Sequence, residues 1–309
     1  MDQYYAMTVD GPVGERELGT TYVHEHLLVK PQSDDPKYRD YTLDDRDKSA
    51  QESRAFFQAG GRTLVEMTPI HYGRDVRGYR AIARAAQIQV ICTTGFHKEE
   101  FMPPWFGDRS EEDLFELVKR EALEGIDGTE IRPGVIKFGT SYETVTRLEE
   151  KAIWVAARAQ RELGLPISTH CDKGTMGLEQ AEILKSLGVD LSRVLLCHID
   201  SRMDIEYAMK ICELGANICL DHVGRELADR DQFRVEMITE LVRAGFAGRV
   251  TLSGDMGKKG YLPAYGGKPG LAYILTDLRG ELMKYISGED FRRLTVENPA
   301  RIFAVFKNR

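Results

Sequence analysis

The chain has 309 residues, 42% of them hydrophobic and 29% charged, with a formal net charge of −7. This is the composition of a globular protein with a sizeable core. The acidic balance argues against a general nucleic-acid binder, which needs a basic surface to displace counterions, but a local basic cluster could still hold a small anion. In chain order, the opening MDQYYAMTVDGPVGERELG lacks the basic start and apolar run of a signal peptide. Eight short apolar runs follow: TYVH (21–24), TLVEM (63–67), VICTT (90–94), GVIKF (134–138), PISTH (166–170), VLLCH (194–198), ANICLD (216–221) and VTLSG (250–254). They are rich in Val, Ile, Leu and Thr and do not alternate clearly, as expected of strands buried on both faces.

Helical patterns lie between them, at 143–163, 179–188 and 204–215, the last two ending in or next to Gly. Near the end, Asn298 before Pro299 reads as a helix cap with proline in the first turn. Strand and helix alternating eight times predict a (β/α)8 TIM barrel, a single domain over 1–309. A doubly wound sheet is the competing reading, but no Gly-rich phosphate loop follows the first strand. No stretch reaches the ~20 apolar residues of a membrane helix. Five cysteines, an odd number with no C-x-x-C, read as reduced, buried thiols of a cytoplasmic protein.

The active site of such a barrel lies at the C-terminal ends of its strands. His24 and His26 end the first strand, Lys137 the fourth, His170 the fifth and His198 the sixth, and Asp255 follows the eighth. Taken singly, each has a bland reading: a hydrogen-bonded histidine, a lysine paired with a carboxylate, an aspartate in a turn or cap. Together they change the balance, because four imidazoles facing one cavity call for a cation between them. Residues two apart on a strand share a face, so His24 and His26 can reach one metal. Glu25 points the other way and reads as a salt-bridge or hydrogen-bond partner.

The motifs VHEHL (23–27), GGRTLVEMTPIHYGRDV (60–76), GVIKFGTS (134–141), PISTHCDKGTMGLEQ (166–180), VLLCHID (194–200), ICLDHVG (218–224), LSGDM (252–256) and ENPARIF (297–303) span nearly the whole chain. In them the sequence resembles the phosphotriesterase-like branch of the amidohydrolase superfamily. The resemblance implies two divalent metal ions, zinc first, with Mn, Co or Fe also suited to imidazole and carboxylate ligands. It places His24, His26 and Asp255 on the more buried ion, His170 and His198 on the second, and Lys137 between them as a carbamate formed with CO2. An ammonium cannot coordinate a cation, whereas a carbamate offers two oxygens. The implied reaction is hydrolysis by a metal-bridging hydroxide, with Asp255 accepting the proton. A homodimer is a further expectation from the family.

For the substrate, loop 7 carries His222 and Arg225 in DHVGRE, and loop 8 carries Lys258, Lys259, Tyr261, Tyr265 and Lys268. Barrels often hold phosphate with these two loops. Lys268 alone reads as a solvated surface residue. Arg225, Lys258, Lys259 and Tyr261 together read as an anion site, and the loop resembles that of relatives that open lactones of phosphorylated sugars. The first expectation is therefore a sugar-phosphate lactonase. A phosphotriesterase or another ester hydrolase is the alternative, and a non-catalytic metal- or anion-binding barrel lies outside both. His97 and His71 either line the pocket or serve as hydrogen-bonding residues.

Overall fold

The computed structural model describes residues 4–33, 35–225 and 228–307, without the side chains of residues 228 and 229. Strands β1 (Tyr4–Thr8) and β2 (Gly11–Gly14) form an antiparallel hairpin, which β11 (Phe306–Lys307) extends on the far side of β1. Between them in sequence come β3 (Thr21–Glu25), β4 (Thr63–Glu66), β5 (Gln89–Gly95), β6 (Val135–Thr140), β7 (Ile167–Cys171), β8 (Val194–Cys197), β9 (Asn217–Leu220) and β10 (Val250–Leu252). These eight are parallel, and each pairs with its neighbour in sequence. Each matches one of the eight apolar runs, and the expected (β/α)8 barrel is the fold.

Alternation along the strands separates two cores. Val65, Ile91, Val135, Leu195 and Cys219 pack in one cluster with Ala6, Leu18, Ile302 and Phe303 from the two ends of the chain. Their neighbours Leu64, Val90, Ile136, Leu196 and Ile218 belong to the larger core shared with the helices. Burial on both faces explains why the strand sequences run apolar throughout.

β3 and β10 stand at the two ends of the sheet order, so the barrel needs a seam. Ser253 and Asp255 supply it: the Ser253 hydroxyl accepts from His24 N (3.1 Å) and lies 2.7 Å from His24 O, and Asp255 N donates to His24 O (3.1 Å).

The helices begin at capping residues. The helix Arg147–Leu163 starts four residues later than the apolar pattern suggested, because Thr146 and Glu149 close a capping box there. The helices Gly177–Ser186 and Ile205–Glu213 match their patterns within two residues. Asn298 corrects its expected role. It is helical and continues a π turn over Arg293–Glu297, and its side-chain amide donates to the carbonyls of Ala247 and Val250, both at 2.7 Å. Pro299 does occupy the first turn of Asn298–Phe303.

Candidate metal centre

A cavity of about 490 Å³ opens at the C-terminal ends of the barrel strands, and His24, His26, Lys137, His170, His198 and Asp255 all line it. Ring centroids lie 5.8 Å apart for His24 and His26, 4.9 Å for His24 and His198, and 4.5 Å for His170 and His198. Asp255 Oδ1 is 3.2 Å from His26 Nε2 and 3.7 Å from His24 Nε2. The register slips between Tyr22 and Glu25, an irregularity within the strand that carries His24 and ends one residue before His26. Lys137 is 1% exposed, and its Nζ donates to Met67 O at 3.0 Å. Gly95, at φ 91°, lets β5 pass beside it: a Cβ there would stand 2.2 Å from Lys137 O. His198 and Asp255 leave their strands in the left-handed region, at φ 66° and 44°, where non-glycine residues are uncommon and cluster at functional sites.

Behind the rim, buried carboxylates orient the rings. Asp221 Oδ1 accepts from both Nδ1 (2.9 Å) and the backbone N (3.0 Å) of His198. Thr68 Oγ1 meets His26 Nδ1 at 2.7 Å and donates to Glu66 at 2.6 Å. Loop 7 is tied from below: Asp200 accepts from the backbone N of Asp221 and of His222, each at 3.2 Å, and from Arg234 Nε at 2.6 Å. Arg234 also binds Asp231 (2.9 Å), which accepts from Gly224 N and from the Tyr273 hydroxyl. The helix that follows, Ala228–Arg243, carries both Asp231 and Arg234.

The residues fit a metal centre. His24 Nδ1, His170 Nε2, Asp221 Oδ2 and Glu66 Oε2 are buried polar atoms without a hydrogen-bond partner. Such atoms are costly unless something satisfies them. Among the described residues, ligand-capable atoms of His24, His198 and Asp255 lie within 4.8 Å of one another. Burial first, then Lys137, pushes the His24 imidazole well down; burial and the neighbouring His198 do the same to His170. Both rings are thereby kept neutral, the form that coordinates a metal. Burial also lowers the Lys137 ammonium. For Asp255 burial works upward, but Arg225, His26, His24 and His198 outweigh it and hold the carboxyl well below its usual range.

The expected substrate residues divide. Arg225, His222 and His97 line the cavity, whereas Lys258, Lys259 and Tyr261 do not. Arg225 Nη1 donates to Asp255 Oδ2 at 2.6 Å, and its guanidinium lies 5.0 Å over the Tyr261 ring. Lys258 Nζ sits 5.3 Å from the same ring and 4.4 Å from that of Tyr41, which does line the cavity. Lys258 and Tyr261 thus form a rim just outside the wall that Arg225 and Tyr41 line. Lys259 Nζ turns to Asp44 at 3.8 Å, the Tyr265 hydroxyl bonds Asp45 O and Ser49, and Lys268 is exposed. His222 Nδ1 meets the Ser201 hydroxyl at 2.5 Å. His97 packs on Tyr72, Phe101 and His170, while His71 is exposed and lies off the cavity. Glu226, the end of the quoted loop 7, lies outside the described residues. Tyr38, Tyr41, Lys98 and Asp172 in the wall and Asp221 behind it were not among the expected site residues. Of these, Asp172 and Asp221 stood in stretches already singled out at strand ends.

Comparison with known proteins settles the kinship. The model of the phosphotriesterase family matches residues 5–303. The chain belongs to the phosphotriesterase family. Its relatives include the phosphotriesterase homology protein of Escherichia coli, 36% identical over 92% of this chain and 98% of that protein. A phospho-furanose lactonase of Mycoplasmopsis synoviae is 33% identical over 100% of this chain and 94% of its own length. The crystal structure of a lactonase from Listeria monocytogenes superposes with a TM-score of 0.91 at 32% identity, covering 98% of this chain and all of that one. As a member of the phosphotriesterase family, the protein is a metal-dependent hydrolase, in agreement with the expectation from its motifs.

Proposed function

We propose that this phosphotriesterase-family member opens the ring of a sugar lactone bearing a terminal phosphate. The observation that carries the reading is the rim: Lys258 lies between the rings of Tyr41 and Tyr261, and Arg225, over the same Tyr261 ring, bonds Asp255, in an otherwise acidic protein. A relative at 33% identity bears the name phospho-furanose lactonase, which supports the same reading. Neutral triesters would gain little from such a rim.

His24, His26 and Asp255 would hold one ion, and His170 and His198 the other. Lys137 would link them: a neutral lysine amine and CO2 give a carbamate and one released proton, and burial of Lys137 favours the neutral amine this needs. The bound ions, zinc in the first instance, supply Lewis acidity and bring the ionisation of water near neutrality. The chain does the rest. Asp255 takes a proton from the attacking water and returns it to the leaving alcohol. Asp221 and Thr68 fix the rings of His198 and His26. Arg225 and Lys258 orient the phosphate end.

The test is a panel of lactones with and without a terminal phosphate, run on the wild type and on Lys258→Ala. Losing one charge-assisted phosphate contact costs about 1.5–3 kcal/mol, so kcat/KM should fall roughly 10- to 150-fold on the phosphorylated series alone. Equal wild-type rates on both series would end the phosphate reading.

A further inference from the structure

The mechanism gives no role to a carboxylate that stands between two metal-ligand candidates. Glu25 is fully buried, and both of its oxygens are spent across the barrel seam. Oε1 accepts from Gly254 N at 2.6 Å and from the Ser253 hydroxyl at 2.7 Å, and Oε2 accepts from Met256 N at 2.9 Å. Asp255 N, between those two amides, donates to His24 O at 3.1 Å. Three successive N–H groups, at 254, 255 and 256, are thus held by residues 24 and 25. The turn they form keeps Asp255 at φ 44°. A non-glycine residue there costs on the order of 1–3 kcal/mol and persists only where its surroundings enforce it. Hydrogen bonds to a buried carboxylate supply that enforcement. Gly254 fits the same picture, since a Cβ on it would come within 2.7 Å of Met256 and 3.3 Å of Glu25 Oε1.

We propose that Glu25 is a positioning residue for Asp255. Its carboxylate clamps the 253–256 turn across the seam and so fixes where the aspartate oxygens sit in the cavity. The proposal rests on the reading of Asp255 as the proton acceptor. Glu25 does not line the cavity; it acts through the backbone. A misplacement of about 1 Å at a reacting group can cost about 100-fold in rate.

The experiment compares wild type, Glu25→Gln, Glu25→Asp and Asp255→Asn, all metal-loaded, by steady-state kinetics on a lactone the wild type hydrolyses and by hydrogen exchange of the peptide covering 252–258. Glutamine keeps the shape but turns an NH2 toward one of the backbone donors. In Glu25→Gln, kcat should fall about 10- to 100-fold with KM held within about twofold, and exchange should quicken in 252–258 alone. Glu25→Asp, which keeps the charge with a shorter reach, should recover part of both. Should the glutamine variant fail to fold, the aspartate variant carries the same two readouts against wild type. Unchanged kcat, or a fall in kcat with no change of exchange in 252–258, overturns the proposal. If Asp255→Asn keeps the wild-type kcat, the reading of Asp255 fails first. If Asp255→Asn is inactive while Glu25→Gln is not, the clamp alone is refuted.

Discussion

Replacing Asp221 with Asn separates a metal-orienting role from a merely structural one, because the two predict losses in different measurements. Asp221 is wholly buried, and its Oδ1 takes two hydrogen bonds from His198, at 2.9 and 3.0 Å. Its Oδ2 has no hydrogen-bond partner and lies 3.6 Å from His24 Nδ1. Asparagine can still accept from His198 Nδ1 but without the charge, which lowers each bond from about 1.5–3 to about 0.5–1.5 kcal/mol. Over the two bonds that is about 2–3 kcal/mol, at most about 30- to 150-fold in metal affinity, which overlaps the roughly 10- to 100-fold seen when such outer partners are removed. The metal-free protein should change little, since the weakened bonds to His198 are offset by the removal of a buried charged oxygen that lacks a partner. The assay is metal competition against a chelator of known affinity, paired with thermal unfolding of the metal-free form. Unchanged affinity in a folded variant would refute the idea that Asp221 orients a ligand through His198. A metal-free form destabilised by several kcal/mol would show that Asp221 serves the barrel and not the metals.

Two other substitutions test the buried polar groups. Lys137→Met should abolish turnover by more than the roughly 100-fold of an outer-partner loss and reduce the metal content measured by elemental analysis, while the metal-free barrel stays folded, because Lys137 is buried and methionine has similar volume. In the wild type, metal uptake should slow in CO2-depleted buffer; equal uptake would exclude the carbamate. Asn298→Ala should lower the thermal midpoint through two bared carbonyls, Ala247 and Val250, at about 1–3 kcal/mol each, with kcat unaffected.

The barrel was legible because its strands are buried on both faces, which leaves eight contiguous apolar runs in the sequence. The β1–β2 hairpin and β11 were not, because β11 is two residues long and its pairing joins positions about 300 apart, such as Tyr5 and Phe306. The metal-ligand candidates were legible for a topological reason: the strand ends of this fold converge, so position in the sequence translates into position on the rim. The cavity wall obeys no such rule. Tyr41 reaches Lys258 and Lys98 reaches Asp172 only through the paths of loops, and those paths have no periodicity to read. Asn298 was misread for a related reason. Asn-Pro at a helix start is a local signal, but the carbonyls of Ala247 and Val250, some 50 residues away, claimed its amide.

The ties beneath loop 7 bear on any attempt to redesign what this enzyme accepts. Grafting that loop from a relative looks simple, since loops are the variable part of a barrel. Here Gly224 is fastened to Asp231 and the 221–222 backbone to Asp200, which Arg234 neutralises. A transplanted loop would arrive without its moorings, and the His198 ring would lose its alignment along with the new specificity. The smallest exchangeable cassette is the loop together with the first turns of the helix that follows it.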